Sequence, residues 1–274
     1  MKPLLALFSL TYVLVAADPP KGEPTNAKEA AAQVAAKKAA QDKVVDEKYQ
    51  VWAATLSPEA QAWEKVLQSQ LGNFYLPLHK RDKVAGKSNA WDFVQDDPKL
   101  PRVLLIGDSV SRGYTQPTRV TLTGKANVHR APANCGPTAS GLKHLDVWLG
   151  AGKWDVIHFN FGIHDRATPA ADYVKRLEEI VARLEKTGAK LIWASTTPIP
   201  DNPAQKQTAQ SVVDKNALAA EVMKKHGIPT DDLFGAMTPR LKEFQPPLDV
   251  HYTGAGYDFL GAKVGESVLA VLAR

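Results

Sequence analysis

From Pro101 to the C-terminus the chain alternates short apolar runs with segments of helical periodicity, and this alternation is its strongest constraint. The runs are Val103–Ile106, Val128–His129, Val156–Phe161, Leu191–Ala194 and, more weakly, Gly227–Thr230. Four unbroken apolar residues, as in Val103-Leu104-Leu105-Ile106, suit a central parallel strand covered on both faces. Helical patterns lie between the runs, over about 139–149, 171–187, 208–226 and 254–272. In 171–187, Val174, Leu177, Ile180, Val181 and Leu184 recur on one face, and Gly188 ends the helix. Such alternation predicts an α/β fold over residues 101–274, with a central parallel sheet of about five strands and helices on both faces. No internal repeat of a convincing period is present.

The residues before Pro101 read differently. Lys2, the mostly apolar stretch Leu4–Val15 and the small residues Val15-Ala16-Ala17 ahead of Asp18 predict a cleaved export signal over 1–17. The run is short for a bilayer span, so no membrane association is expected after cleavage, and the location expected is secreted or periplasmic. Residues 18–50 are rich in Ala, Lys, Glu, Asp and Gln without a steady apolar face, and read as a polar linker or a helical stalk. Ser57-Pro58-Glu59 carries a cap, a first-turn proline and an acid, so it reads as a helix start. Trp63, Val66, Leu67 and Leu71 then share one face before Gly72. With the unperiodic aromatics Tyr75, Trp91 and Phe93, this predicts an N-terminal helical collar over 51–100, packed on the main domain.

Several classes are disfavoured. The formal charge of +5 is spread among interleaved acids and bases, not gathered into a stripe, so no nucleic-acid partner is expected. The single cysteine, Cys135, permits no intrachain disulfide and reads as a small buried residue beside Gly136. There is no phosphate-cradling G-x-x-x-x-G-K loop. His158 and Asn160 lack a third partner at a metal-ligand spacing, so neither metal nor cofactor is expected. Oligomeric state is not legible.

In an open parallel sheet, ligands bind outside the carboxyl ends of the strands. Five loops there carry polar residues: Gly107-Asp108-Ser109; Asn134-Cys135-Gly136; Asn160 through Asp165; Ser195-Thr196-Thr197; and Asp249-Val250-His251 before the last helix. A serine, glycines, an asparagine and two histidines on one rim suit acyl transfer. A serine hydroxyl needs a base, and helical N–H groups after a tight glycine turn favour an anionic intermediate. By itself Gly-Asp-Ser also suits an ordinary capped turn, and it is not the G-x-S-x-G elbow, because position 111 is Ser.

The order of these blocks resembles the SGNH/GDSL hydrolases. "VLLIGDSVSRG" is similar to their first block, "CGPTASGL" to the second, "NFGIHD" to the third and "DVHYTGAGY" to the last, over about 101–265. The resemblance implies a flavodoxin-like three-layer α/β/α sandwich, and esterase chemistry with Ser109 as nucleophile and His251 as base. It also implies an oxyanion hole from the backbone of Ser109 and Gly136. Two departures stand out. His164 occupies the place of the family's oxyanion asparagine; a neutral imidazole also donates one N–H. The family's acid lies three residues before the histidine, at Leu248 here, whereas Asp249 lies two before; Asp249 is the acid expected, a Ser–His dyad the alternative. Asp108 and Asp165 read as loop braces.

Asn160 is a further candidate, as a substrate contact or substitute donor. Arg112 and Arg130 are candidates for touching an acidic sugar, and Trp91, Trp148, Trp154, Tyr114 and Tyr252 for stacking on sugar rings. The activity expected is an exported serine esterase acting on a short-chain, acetyl-type ester of a small molecule or polysaccharide. The alternatives are an inactive carbohydrate- or cell-wall-binding module on the same fold, and a lipase- or thioesterase-type acyl hydrolase.

Overall fold

The computed structural model describes residues 27–274. The expected export signal over 1–17 lies outside them. The chain separates between Glu47 and Lys48 into two compact units. What is described of the first is helical, the start of α1 (Ala27–Ala54), whose Ala, Lys, Glu and Gln are strong helix formers. The segment is therefore a helix and not a coil linker from Ala27 onward.

The second unit opens with a small helical layer. α2 (Pro58–Gln70) starts where expected, with the Ser57 hydroxyl accepting the Ala60 N–H. Gly72 does not end the helical region: a new helix, α3 (Gly72–Val84), begins there, and Pro77 inside it obscures the sequence pattern. Leu67, Leu71 and Trp91 form the core of this layer. The layer also holds buried polar contacts: Glu64 accepts from the Tyr49 hydroxyl at 2.5 Å and pairs with His79 Nε2 at 2.8 Å. The loop that follows is stitched to the main sheet through Asn127, which donates to the Asp97 and Leu100 carbonyls, and through Asp96, which meets Arg102 and His129.

The main sheet has five parallel strands in the order β2-β1-β3-β4-β5. They are β1 (Arg102–Ile106), β2 (Asn127–Arg130), β3 (Val156–Phe159), β4 (Lys190–Ala194) and β5 (Thr230–Asp231). The unbroken apolar runs follow from burial on both faces. In β1, Leu104 and Ile106 enter one core while Val103 and Leu105 enter the other. In β4, Leu191 and Trp193 split from Ile192 and Ala194 in the same way. α5 (Thr138–Leu149), α6 (Ala170–Glu185) and α7 (Gln210–His226) supply the first core; α4 (Ser109–Thr121) and α10 (Gly254–Leu272) supply the second. α8 (Leu233–Met237) and α9 (Leu241–Phe244) are short turns of helix before α10. The result is a three-layer α/β/α sandwich.

The β1-to-β2 connection runs towards one edge and the chain then crosses to β3 on the other side of β1. The strand order therefore reverses between β1 and β3, and the crevice at their carboxyl ends is where such a sheet binds ligands.

Candidate active site

β1 ends at Ile106 and, after Gly107 and Asp108, α4 begins with Ser109. Asp108 is its cap: the carboxylate accepts the Val110 N–H at 2.9 Å, which commits this side chain to the turn, as expected of a brace. Arg130, at the end of neighbouring β2, is fully buried beneath the turn. Its Nη2 donates to the carbonyls of Gly107 at 3.0 Å and Asp108 at 2.9 Å, and its Nη1 to the Ser111 hydroxyl. The Asp108 carbonyl also accepts the Arg112 N–H at 2.9 Å. Because the peptide is trans, fixing that carbonyl inward turns the Ser109 N–H to the opposite side, where it has no acceptor among the described residues.

Ser109 is the serine that meets a base. Its Oγ lies 2.8 Å from His251 Nε2, and His251 Nδ1 lies 2.7 Å from Asp249 Oδ1. The same carboxylate oxygen accepts the His251 backbone N–H at 3.0 Å. That backbone donor, followed by the ring, holds the Asp249 carboxyl below its ordinary pKa, so it remains ionised beside the imidazole. The one-residue shift of the acid has a local cause. Leu248 adopts φ +60° in a turn closed by the Asp249 N–H on the Pro246 carbonyl at 3.2 Å. This left-handed residue, unusual for leucine, brings Asp249 back towards the ring.

Gly136 follows the buried Cys135 with φ +66°, a conformation that suits glycine, and its N–H also has no acceptor among the described residues. Cys135 N donates to the Gly107 carbonyl at 3.2 Å, which ties this loop to the serine turn. Burial pushes the Cys135 thiol up to about 12, so it is no competing nucleophile. Asp165 joins the loop after β3 to the start of α5, accepting the Thr138 N–H at 2.7 Å and hydroxyl at 2.8 Å. Gly162 lets this loop approach β4 closely; a Cβ there would lie 2.0 Å from Thr196 Oγ1.

His164 is exposed, its ring makes no hydrogen bond among the described residues, and it borders a large polar pocket beyond Ile163. The other candidates have different employment. Asn160 donates both amide hydrogens internally, to the Ala194 carbonyl at 2.7 Å and Thr196 Oγ1 at 3.0 Å; it braces β3 to β4 and is not a free donor. The Arg112 guanidinium lies 5.6 Å from the Tyr75 ring and 6.0 Å from Trp91, packed on the helical layer instead of reaching for substrate. Arg130 is committed to the serine turn. Trp91, Trp148, Tyr114 and Tyr252 are buried, with the Tyr252 hydroxyl on the Pro198 carbonyl, and Trp154 lies under Arg102. Trp148 and the half-buried Trp154 border a separate pocket with Trp63, Arg102 and His129, and neither borders the serine. A small cavity of about 10 Å³ lies at the ends of β1, β3 and β4, bordered by Asp108, Val110, Asn160, Ile163, Thr196 and Leu233.

A serine at a strand-to-helix turn, hydrogen-bonded to an imidazole that a carboxylate holds in turn, is the arrangement of serine hydrolases. Residues 105–259 match the model of the GDSL-like lipase/acylhydrolase family, and the chain belongs to that family of ester hydrolases. Solved structures share the fold. A lipase/acylhydrolase from Enterococcus faecalis is 22% identical, covers 62% of this chain and 96% of its own, with a TM-score of 0.56. The acetyl xylan esterase AlAXEase is 14% identical, covering 61% and 99%, with a TM-score of 0.54. An acetylxylan esterase from Geobacillus stearothermophilus is 15% identical, covering 64% and 94%, with a TM-score of 0.52. No curated protein matches the sequence.

Proposed function

We propose that the chain is a serine esterase that removes a short acyl group, acetyl foremost, from a carbohydrate ester outside the cytoplasm. The observation that carries this reading is the Ser109–His251–Asp249 relay, with contacts of 2.8 and 2.7 Å. His251 takes the Ser109 proton as Oγ bonds to the ester carbonyl carbon. The carbonyl oxygen becomes the oxyanion and receives the free N–H groups of Ser109 and Gly136, with His164 as third donor. As the tetrahedral species collapses, the C–O bond to the alcohol breaks and His251 gives its proton to the leaving oxygen. Water then enters by the same route and releases the acid. Asp249 fixes the ring's tautomer and balances its transient charge.

The acetylxylan esterases among similar folds and the N-terminal sequence pattern support an exported, carbohydrate-directed enzyme. A panel of p-nitrophenyl esters tests this. The acetate is expected to turn over fastest, with S109A reducing its rate by at least about a thousandfold. A preference for long chains would make it a lipase-type enzyme, and no turnover of any ester would make the fold a binding module.

A further inference from the structure

Beside Ile163 lies a pocket of about 510 Å³, bordered by His164, Arg166, Gln205, Lys206, Thr208 and Ser211. Its link to the site is His164, the third donor of the oxyanion hole proposed above, which borders this pocket directly. No acidic residue borders it. Among the described residues, the side chains of Arg166 and Lys206 make no hydrogen bond or ion pair, whereas Lys225, Arg183 and Lys263 pair with Glu178, Asp146 and Glu266. Burial lowers the Arg166 pKa and the Asp108 charge raises it, which sets this guanidinium within electrostatic reach of the serine turn. Asp108 does not neutralise it by contact, being bonded to Val110.

The loop that presents Lys206 is already shaped. Asn202 and Gln207 exchange backbone hydrogen bonds at 2.9 and 3.0 Å, and Lys206 sits between them in the left-handed region at φ 51°. Two uncommitted cations in one concavity match a carboxylate, and Gln205, Thr208 and Ser211 offer polar groups for hydroxyls.

We propose that this pocket is the subsite for the alcohol part of the ester, and that it takes a carboxylate-bearing sugar, a uronic acid, paired by Arg166 and Lys206. This rests on the esterase reading, and names the substrate class of the same site. It is tested with the full chain and the variants R166Q, K206Q and R166Q/K206Q on three acetyl esters: p-nitrophenyl acetate, acetylated methyl glucoside and acetylated methyl glucuronoside. Wild type is expected to favour the glucuronoside over the glucoside by about tenfold in kcat/KM, less so as salt screens the charges. The double variant should lose that preference while keeping p-nitrophenyl acetate turnover within about twofold of wild type. Calorimetric binding of unacetylated methyl glucuronoside and methyl glucoside repeats the comparison without turnover. Equal handling of the two sugars by wild type, or a preference that survives the double variant, overturns the proposal. If wild type turns over none of the esters, the esterase reading fails, and the binding comparison alone decides the subsite.

Discussion

Replacing Asp249 by Asn isolates the charge of the acid from its geometry. In the structure one carboxylate oxygen accepts both the His251 ring N–H at 2.7 Å and the His251 backbone N–H at 3.0 Å. An asparagine that keeps its carbonyl oxygen in that place preserves both bonds, and with them the tautomer that leaves Nε2 free to take the Ser109 proton. What it loses is the attraction between a carboxylate and the imidazolium formed in the transition state. Two unit charges about 4 Å apart interact by about 1 kcal/mol in water and about 4 kcal/mol near a protein surface. The His251 and Asp249 side chains are 40% and 47% exposed, which places this pair towards the weaker limit. A loss of about 1–3 kcal/mol corresponds to a fall in kcat of about 5- to 150-fold. D249A, which removes the acceptor as well, should fall further, whereas an asparagine that turns its amide N–H to the ring would impose the wrong tautomer and fall by roughly ten-thousandfold. The assay is single-turnover hydrolysis of p-nitrophenyl acetate with both variants. Unchanged activity in D249A would show that the acid lies elsewhere or that a Ser–His dyad suffices. Full activity in the asparagine variant would refute a role for the Asp249 charge.

Other consequences follow from the same contacts. Arg130→Met removes the donor common to the Gly107 and Asp108 carbonyls and the Ser111 hydroxyl; urea unfolding should show a loss of about 2–4 kcal/mol, since each carbonyl keeps one backbone donor. His164→Ala should lower kcat by about a hundredfold if the ring donates to the oxyanion, and a loss under about twofold would remove it from the hole. His226 bridges Glu178 at 2.8 Å and Glu185 at 2.9 Å; the Glu178 bond raises the His226 pKa, and His226 lowers that of Glu178. A raised histidine stabilises below its ordinary 6.5 and loses that as pH rises through its folded value; a lowered glutamate stabilises above its ordinary 4.5 and loses that as pH falls. H226A should therefore lower stability most between these values, by no more than about 1 kcal/mol for so accessible a cluster, with a smaller effect at pH 8, read from urea midpoints.

The sheet was legible because its central strands are buried on both faces, which writes continuous apolar runs into β1 and β4 and a run broken only by the buried His158 into β3. The weakest run, Gly227–Thr230, overlaps the strand only at its end: Gly227 is the left-handed cap of α7, and β5 begins only at Thr230. α3 escaped because it carries a proline and no clean apolar stripe. At the site, Ser109, Gly136 and His251 fall where the order of blocks puts them, because each sits next to a strand or helix end. Less legible was what depends on tertiary contact. Arg130 bonds main-chain carbonyls, which have no sequence signature, and the turn that returns Asp249 to the ring rests on a leucine in a conformation that favours glycine. Arg166 and Lys206 come from separate loops, and only folding places them at one pocket.

The account turns on Ser109 being the atom that is acylated. Treating the folded protein with a fluorophosphonate and mapping the adduct by peptide mass spectrometry measures this directly. A single adduct on Ser109, lost in S109A and slowed in His251→Ala, is the predicted result. A correctly folded wild-type protein with no adduct, or with the label on Ser111 or Cys135, would contradict it.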